Sequence, residues 1–279
     1  MSENNNKKQS LGDRMKGYER EYEMLIPKKS YIVIRLDGHH FSKFTKQFRK
    51  PFDPIIKEAM IESSKELLTE FTGSTAYTVS DEITLIIPPV ANEESNHPYN
   101  GRSQKLGSLC AGKVTSVFNL SVASNISQLG NQEKEKRILD SLKGCFFDAR
   151  TFEIQDPSEV LNNIIWRQRD GERNSKSMYA RKFFSHKQLQ GLKSHEMIEK
   201  VTKEKNENWC DIEGHFKYGT ILKKESYEKE KDLIRTRIVT ISKKLNWSEE
   251  NVNLVTAKKL NSVPTKEKIE QNNEKEIEK

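Results

Sequence analysis

Tyr31-Ile-Val-Ile-Arg-Leu36 is a nearly unbroken run of β-branched and apolar residues that stops at Asp37-Gly38. It predicts a buried strand with a turn directly after it, which commits the chain to a sheet-based core. Asp53-Pro54 then supplies an N-cap and a first-turn proline, and Ile55, Ile56, Ala59, Met60, Leu67 and Leu68 follow at helical spacing. Residues 75–79 and 83–87 read as two short strands of an antiparallel hairpin whose tip, Ser80-Asp81-Glu82, is acidic. Residues 103–122 read as a packed helix and residues 145–154 as another strand. The order strand, helix, strand, strand, helix, strand is that of the α+β split βαβ, or ferredoxin-like, arrangement. Its helices cover one face of an antiparallel sheet, leaving the other face open for a ligand. A further helix begins at Asp156-Pro157-Ser158, and Trp166 within it reads as a core residue rather than a base-stacking platform.

At 279 residues the chain can form one large domain or two small ones. Only 34% of residues are hydrophobic and 32% are charged, so a folded body is expected to share the chain with solvated ends. Three segments follow: a disordered leader over 1–10, a folded body over 11–262, and a mobile Lys/Glu-rich tail over 263–279. No apolar run approaches the roughly 20 residues that span a bilayer, so no membrane partner is expected. The first ten residues lack the apolar core of a secretion signal and the Arg-rich pattern of a transit peptide. Cys110, Cys145 and Cys210 are odd in number and unclustered, without a CxxC pair. A reducing, cytoplasmic compartment is the expectation, with mitochondrial import by an unconventional signal left open. The net charge of +7 favours a polyanionic partner such as nucleic acid or nucleotide, although Lys-rich proteins of ordinary function share that balance.

Asp37 ends the first strand, and Asp81 sits at the tip of a hairpin expected beside it. Two carboxylates on adjacent strands can converge on one point, and with the Gly38 carbonyl they offer the oxygen ligands that Mg²⁺ prefers. A two-metal phosphoryl transfer follows from such a set. Each piece alone also reads as turn chemistry, since Asp-Gly after a strand and Ser-Asp-Glu at a hairpin tip are common turn residues. Arg167, Arg169, Arg173, Lys176, Arg181 and Lys182 form a basic stretch that reads either as a solvated surface or as an RNA-backbone contact. Arg102, Lys105 and Ser108 recur at helical spacing, so one helix face would carry all three, toward the sheet opening or toward solvent.

These residues carry a resemblance. Asp13-Arg-Met-Lys-Gly-Tyr-Glu19, Arg35-Leu-Asp-Gly38 with Phe41 and Phe44, Lys50-Pro51 with Asp53, Ala76-Tyr77 and Ser80-Asp-Glu82 resemble the tRNA-histidine guanylyltransferase family. Phe147-Asp-Ala-Arg150, Trp166-Arg-Gln168, Asp170, Asn174 and Arg235-Thr-Arg237 continue the likeness in order. It implies a palm-like catalytic domain over the body and a nucleotidyltransferase that builds RNA in the 3′–5′ direction. ATP would activate a tRNA 5′-monophosphate, and the 3′-hydroxyl of an incoming nucleoside triphosphate, GTP among them, would attack the activated phosphate.

By position, the resemblance makes Asp37, Gly38 and Asp81 the ligands of two Mg²⁺ ions, with Glu82 flanking them. It makes His39, His40, Phe41, Ser42 and Ser80 a nucleotide wall, in which either histidine could act as general base. Lys50 and Asp53 match a Lys-Pro-x-Asp element. Arg102, Lys105, Ser108, Asn174 and Lys193 correspond to residues that hold triphosphate, where Arg and Lys neutralise charge and Ser and Asn donate hydrogen bonds. The family also implies a tRNA partner and a homotetramer.

The chain departs from guanylyltransferases proper after Trp166-Arg-Gln168. Their histidine is Glu172 here, their paired asparagines are Asn174-Ser175, and Lys193-Ser194-His-Glu-Met197 resembles the guanylyltransferase-like branch. A carboxylate at 172 would repel phosphate. The expected function is therefore template-directed repair of truncated tRNA 5′ ends. The alternatives are addition of a single 5′ G to histidine tRNA, an inactive RNA-binding module, and, most remotely, a nucleotide cyclase.

Overall fold

The structure, a computed structural model, describes residues 9–230 and 233–261. The expected leader, apart from Gln9 and Ser10, and the tail over 263–279 lie outside the described residues. Helices of eight residues or more are α1 (Leu11–Glu21), α2 (Pro54–Glu70), α3 (Ser103–Asn125), α4 (Gln132–Ser141), α5 (Pro157–Ala180), α6 (Ser194–Lys205) and α7 (Glu249–Thr256). Strands are β1 (Tyr31–Gly38), β2 (Thr75–Val79), β3 (Glu82–Ile87), β4 (Phe147–Ile154), β5 (Thr220–Glu230), β6 (Leu233–Ile241) and β7 (Leu260–Asn261). They form one sheet in the order β4-β1-β3-β2-β5-β6, with β7 parallel to β5 and every other pairing antiparallel.

The first four strands and first two long helices reproduce the ferredoxin-like order predicted from sequence. Side chains alternate across a strand, and β1 shows where each set goes. Ile32, Ile34 and Leu36 share one cluster with Ile83 and Leu85 of β3, Ile55, Met60 and Leu67 of α2, and Leu106, Val114 and Phe118 of α3. Asp53 caps α2, its Oδ1 accepting from Ile55 N at 2.9 Å. With its following turn, α3 is long and apolar enough to cross a bilayer by length and composition, contrary to the sequence reading. Its apolar side is instead packed on the sheet.

The second face is not open along its length. Tyr77, Val79, Ile86 and Ile221 form a second cluster there with Val160, Leu161, Ile164 and Ile165 of α5 and Leu254 and Val255 of α7. The helical additions to the six-element core close that face because the strands carry apolar residues on both sides. Strand β2, accordingly, is buried at every position.

The helix expected from residue 158 runs on to Ala180, so most of the basic stretch lies along α5. Gly171 allows the crossing with β2, since a Cβ there would meet Val79 Cγ2 at 2.4 Å. Gln168, one turn earlier, is buried. Its Nε2 donates to the carbonyls of Tyr218 and Lys243, at 2.9 and 3.0 Å, and its Oε1 accepts from Leu245 N at 2.6 Å.

Candidate active site

The β2–β3 hairpin closes through Ser80-Asp81, with Val79 opposite Glu82. Ser80 takes the positive φ, 55°, that tight two-residue hairpins call for at this position. The Asp81 carbonyl accepts from Gly38 N at 3.1 Å, which ties the hairpin tip to the end of β1. Asp37 and Asp81 therefore meet at one edge of the sheet. Glu82 and Asp148 are the ladder partners of Asp37 on its two sides.

Burial raises the Asp81 carboxyl above its ordinary range, the Ser80 hydroxyl (2.9 Å from Oδ1) opposes the shift, and Asp37 adds repulsion. Burial also raises Asp37; Asp148 adds to the shift, while Arg150, Arg35 and Arg167 oppose it. Among the described residues neither aspartate has an ion-pair partner within 4.0 Å. Glu82 differs. Arg167 donates to its Oε2 through Nε at 2.7 Å and Nη2 at 2.6 Å, and also reaches Asp170 at 3.2 Å.

Two cavities adjoin this edge. The larger, 360 Å³, is lined by Phe41, Ser42, Lys50, Asp53, Asn174 and Arg181 together with Ser80 and Asp81. The smaller, 210 Å³, is lined by Asp37, Glu82, Arg167 and Asp170, and shares Val79, Ser80, Asp81, Gly171 and Asn174 with the first. The larger volume lies within the range of small-molecule sites. Phe52 and Phe216, which the sequence reading did not single out, stack there with centroids 4.6 Å apart. His215 lines it too, but its Nδ1 is 2.8 Å from Thr220 Oγ1 and burial lowers its pKa to about 4, so it is neutral at pH 7.

Several expected site residues are not brought to these cavities. His39 and His40 are exposed and line neither; His39 stacks on Phe146 at 4.6 Å. Arg102 is paired with Glu23, and Lys105 sits over the Tyr99 ring at 5.1 Å. Ser108 lines a separate hollow between α3 and β4. Helical spacing predicted one helix face for the three, but Arg102 is the extended N-cap of α3, and only Lys105 and Ser108 lie on the helix. Lys193 is exposed at the head of α6 and lines neither cavity. Asp53 lines the larger cavity, yet both its oxygens are engaged, Oδ2 accepting from Arg49 N at 2.7 Å.

The basic stretch is likewise divided. Arg167 and Lys176 are half-buried and bound to carboxylates, and Arg173 is exposed but bonded to Asp170 at 2.5 Å. Arg169, Arg181 and Lys182 are exposed. Glu172 is buried against Lys176 at 2.6 Å and Lys244 at 3.2 Å, which removes the expected repulsion of phosphate. Trp166, expected in the core, is 52% exposed.

A family model described as tRNAHis guanylyltransferase matches residues 12–155. The chain belongs to that family. It is 34% identical over 249 residues to an uncharacterised protein of Acanthamoeba polyphaga mimivirus, covering 84% of this chain and 83% of that one. It is 26% identical over 225 residues to the tRNA(His) guanylyltransferase of Saccharomyces cerevisiae, covering 74% of this chain and 88% of the relative. A solved bacterial tRNA(His) guanylyltransferase-like protein in complex with ATP superposes with a TM-score of 0.69 and 32% identity, over 82% of this chain and 91% of that chain. One in complex with GTP superposes at 0.64 and 28%, over 84% and 91%. The chain is thus a guanylyltransferase-like nucleotidyltransferase.

Proposed function

We propose that this nucleotidyltransferase extends tRNA 5′ ends in the 3′–5′ direction, repairing truncated acceptor stems with nucleotides that pair with the opposite strand. The observation that carries the reading is the Asp37–Asp81 pair, two carboxylates without an ion-pair partner within 4.0 Å among the described residues, Asp81 lining both cavities and Asp37 the smaller. The donor set fits Mg²⁺. Asp37 and Asp81, brought together by the Gly38 N to Asp81 carbonyl bond, would hold the ion with the Gly38 carbonyl and leave positions for phosphate oxygens. When bound, Mg²⁺ would supply charge neutralisation at phosphate and a lower pKa for an attacking hydroxyl.

In the first step an oxygen of the tRNA 5′-monophosphate attacks the α-phosphorus of ATP and pyrophosphate leaves. In the second, the 3′-hydroxyl of the incoming nucleoside triphosphate attacks the activated 5′-phosphorus; the new phosphodiester forms, AMP leaves and the hydroxyl proton goes to solvent. Phe41, Ser42 and Ser80 line the nucleotide cavity, and the Phe52–Phe216 stack supplies an apolar wall for a base. Lys50, Asn174 and Arg181 supply donors for phosphate, and Arg167 fixes Glu82 at the rim of the smaller cavity. Likeness to bacterial guanylyltransferase-like proteins solved with ATP and with GTP supports nucleotide binding, the departures at Glu172 and Asn174-Ser175 favour repair, and likeness to the yeast enzyme supports single guanylate addition as the second reading.

A tRNA series lacking the first 5′ residue, offered each nucleoside triphosphate in turn, separates the two. Pairing-dependent addition to several tRNAs supports repair. Guanylate on intact histidine tRNA alone overturns it in favour of the second reading.

A further inference from the structure

Trp166, Arg167 and Gln168 are consecutive on α5 and therefore point in three directions about 100° apart. Gln168 points into the protein and Arg167 onto Glu82, which leaves Trp166 at the surface beside the catalytic edge. The Arg167 guanidinium lies 4.5 Å from the Trp166 ring centroid and that of Arg35 lies 5.7 Å from it. Arg167 is itself fixed by its bonds to Glu82 and Asp170, so the indole rests on a braced cation instead of a mobile one.

Arg35 stands directly opposite Arg150 in the β1–β4 ladder, two residues before Asp37 and two after Asp148 respectively. Like charges facing each other across a strand pair repel. Arg35 has no carboxylate within ion-pair distance among the described residues, and the nearest for Arg150 is Asp148 at 3.7 Å. The β1–β4 edge of the sheet beside α5 thus carries an exposed indole and two under-neutralised guanidiniums, leading to Asp37. Aromatic faces beside cations are the physical recipe for holding a single-stranded nucleotide: stacking holds the base and charge holds its phosphates.

We propose that Trp166 is the stacking platform for the terminal base of the RNA whose 5′ phosphate reacts, with Arg35 and Arg150 holding the adjoining phosphates. The inference rests on the reading of this site as one that takes an RNA 5′ end. Trp166 is a positioning residue: it sets where the 5′ phosphate lies relative to Asp37 and Asp81 and leaves the nucleoside triphosphate cavity untouched, since it lines neither cavity.

The test uses the full chain carrying Trp247→Phe, which removes the other exposed indole; Trp209 is buried with Nε1 bonded to Ser175 Oγ at 3.0 Å. The probes are a 5′-phosphorylated, truncated tRNA and the same RNA with an abasic first residue. The intact probe should quench Trp166 emission and bind about tenfold more tightly than the abasic one, by anisotropy of end-labelled RNA. Trp166→Ala should abolish that preference and raise the RNA KM, and Trp166→Phe should restore most of both, with the triphosphate KM unchanged. Arg150→Ala should lower the salt dependence of RNA binding by about one phosphate contact and keep the base preference. Equal binding of the two probes, or a base preference that survives Trp166→Ala, overturns the platform even if the enzyme adds nucleotides. Base-dependent quenching in a protein that adds none would support the platform and overturn the assigned reaction.

Discussion

Asp81 and Glu82 are neighbours in the chain and lie in opposite electrostatic surroundings. Glu82 is gripped by Arg167, and further along α5 Asp170 and Glu172 each have two basic partners. Asp81 has a hydroxyl and the repulsion of Asp37. The chain has 48 Lys and Arg residues, so cations are not scarce; Arg150, Arg35 and Arg167 act on Asp37 only from a distance, and no cation lowers Asp81. Paired carboxylates along α5 hold the scaffold in shape, and Asp37 and Asp81 at the β1 and β2–β3 ends have no ion-pair partner within 4.0 Å among the described residues.

The contrast can be broken most forcefully at the unpaired end. Asp37→Asn or Asp81→Asn should reduce nucleotide addition by about 10³-fold or more, because each removes a carboxylate that would hold the cation at the reacting phosphate. Neither should lower the melting temperature, since burial already disfavours both charges in the folded state. A fall in melting temperature matching the loss of activity would mean that these carboxylates are scaffold too.

At the paired end the effect falls on stability. Arg167→Ala leaves Glu82 and Asp170 uncompensated at sites where the Arg167 and Glu82 side chains are only 11% and 15% exposed. It should cost about 2–4 kcal/mol in urea denaturation, and Arg167→Lys should recover only part of that, since a point charge cannot reproduce the two-nitrogen grip on Glu82. Glu172→Gln should cost about 1 kcal/mol at neutral pH. Lys176 and Lys244 lower the Glu172 carboxyl below its ordinary 4.5 despite opposing burial. Its contribution is therefore present above pH 4.5 and lost as pH falls through the lower folded value, so the mutant and wild-type stability curves should converge in acid.

Lys223 gives a test along the pH axis rather than by charge removal at the paired end. It is fully buried, donates to Thr75 Oγ1 at 2.7 Å and to the Ala257 carbonyl, and burial pushes it down to about 7 from 10.5. Between those values the unfolded chain binds the extra proton, so wild-type stability should gain a rising component with pH from 7 to 10.5. Lys223→Met should flatten that segment of the stability profile.

The fold was largely legible because its signals are local. The β-branched run of β1, the Asp53-Pro54 start of α2 and the two-residue hairpin depend on neighbours in sequence. The convergence of Asp37 and Asp81 was legible for the same reason, once the strand order followed. What escaped depends on distant partners. Arg167 and Glu82 are 85 positions apart, and Lys244 reaches Glu172 across 72, so a basic stretch read as free for RNA turned out to be partly committed. Trp166 looked like core because a Trp in an apolar helix usually is, yet the face it occupies was decided by Gly171 and Gln168 fixing the roll of α5. Lys105 and Ser108 share α3 as expected while Arg102 is its extended N-cap, and the roll of that helix was set by Leu106, Val114 and Phe118 packing under the sheet.

The unpaired carboxylates are tested most directly by single-turnover transfer of a labelled nucleotide onto a tRNA lacking its first 5′ residue. Wild type, Asp37→Asn and Asp81→Asn would be compared with Mg²⁺ present and after its removal by chelation. Transfer is predicted only for wild type with Mg²⁺, restored on adding the ion back, with all three proteins equally folded by thermal melting. Transfer by either variant at near the wild-type rate, or by wild type without a divalent ion, would contradict the account.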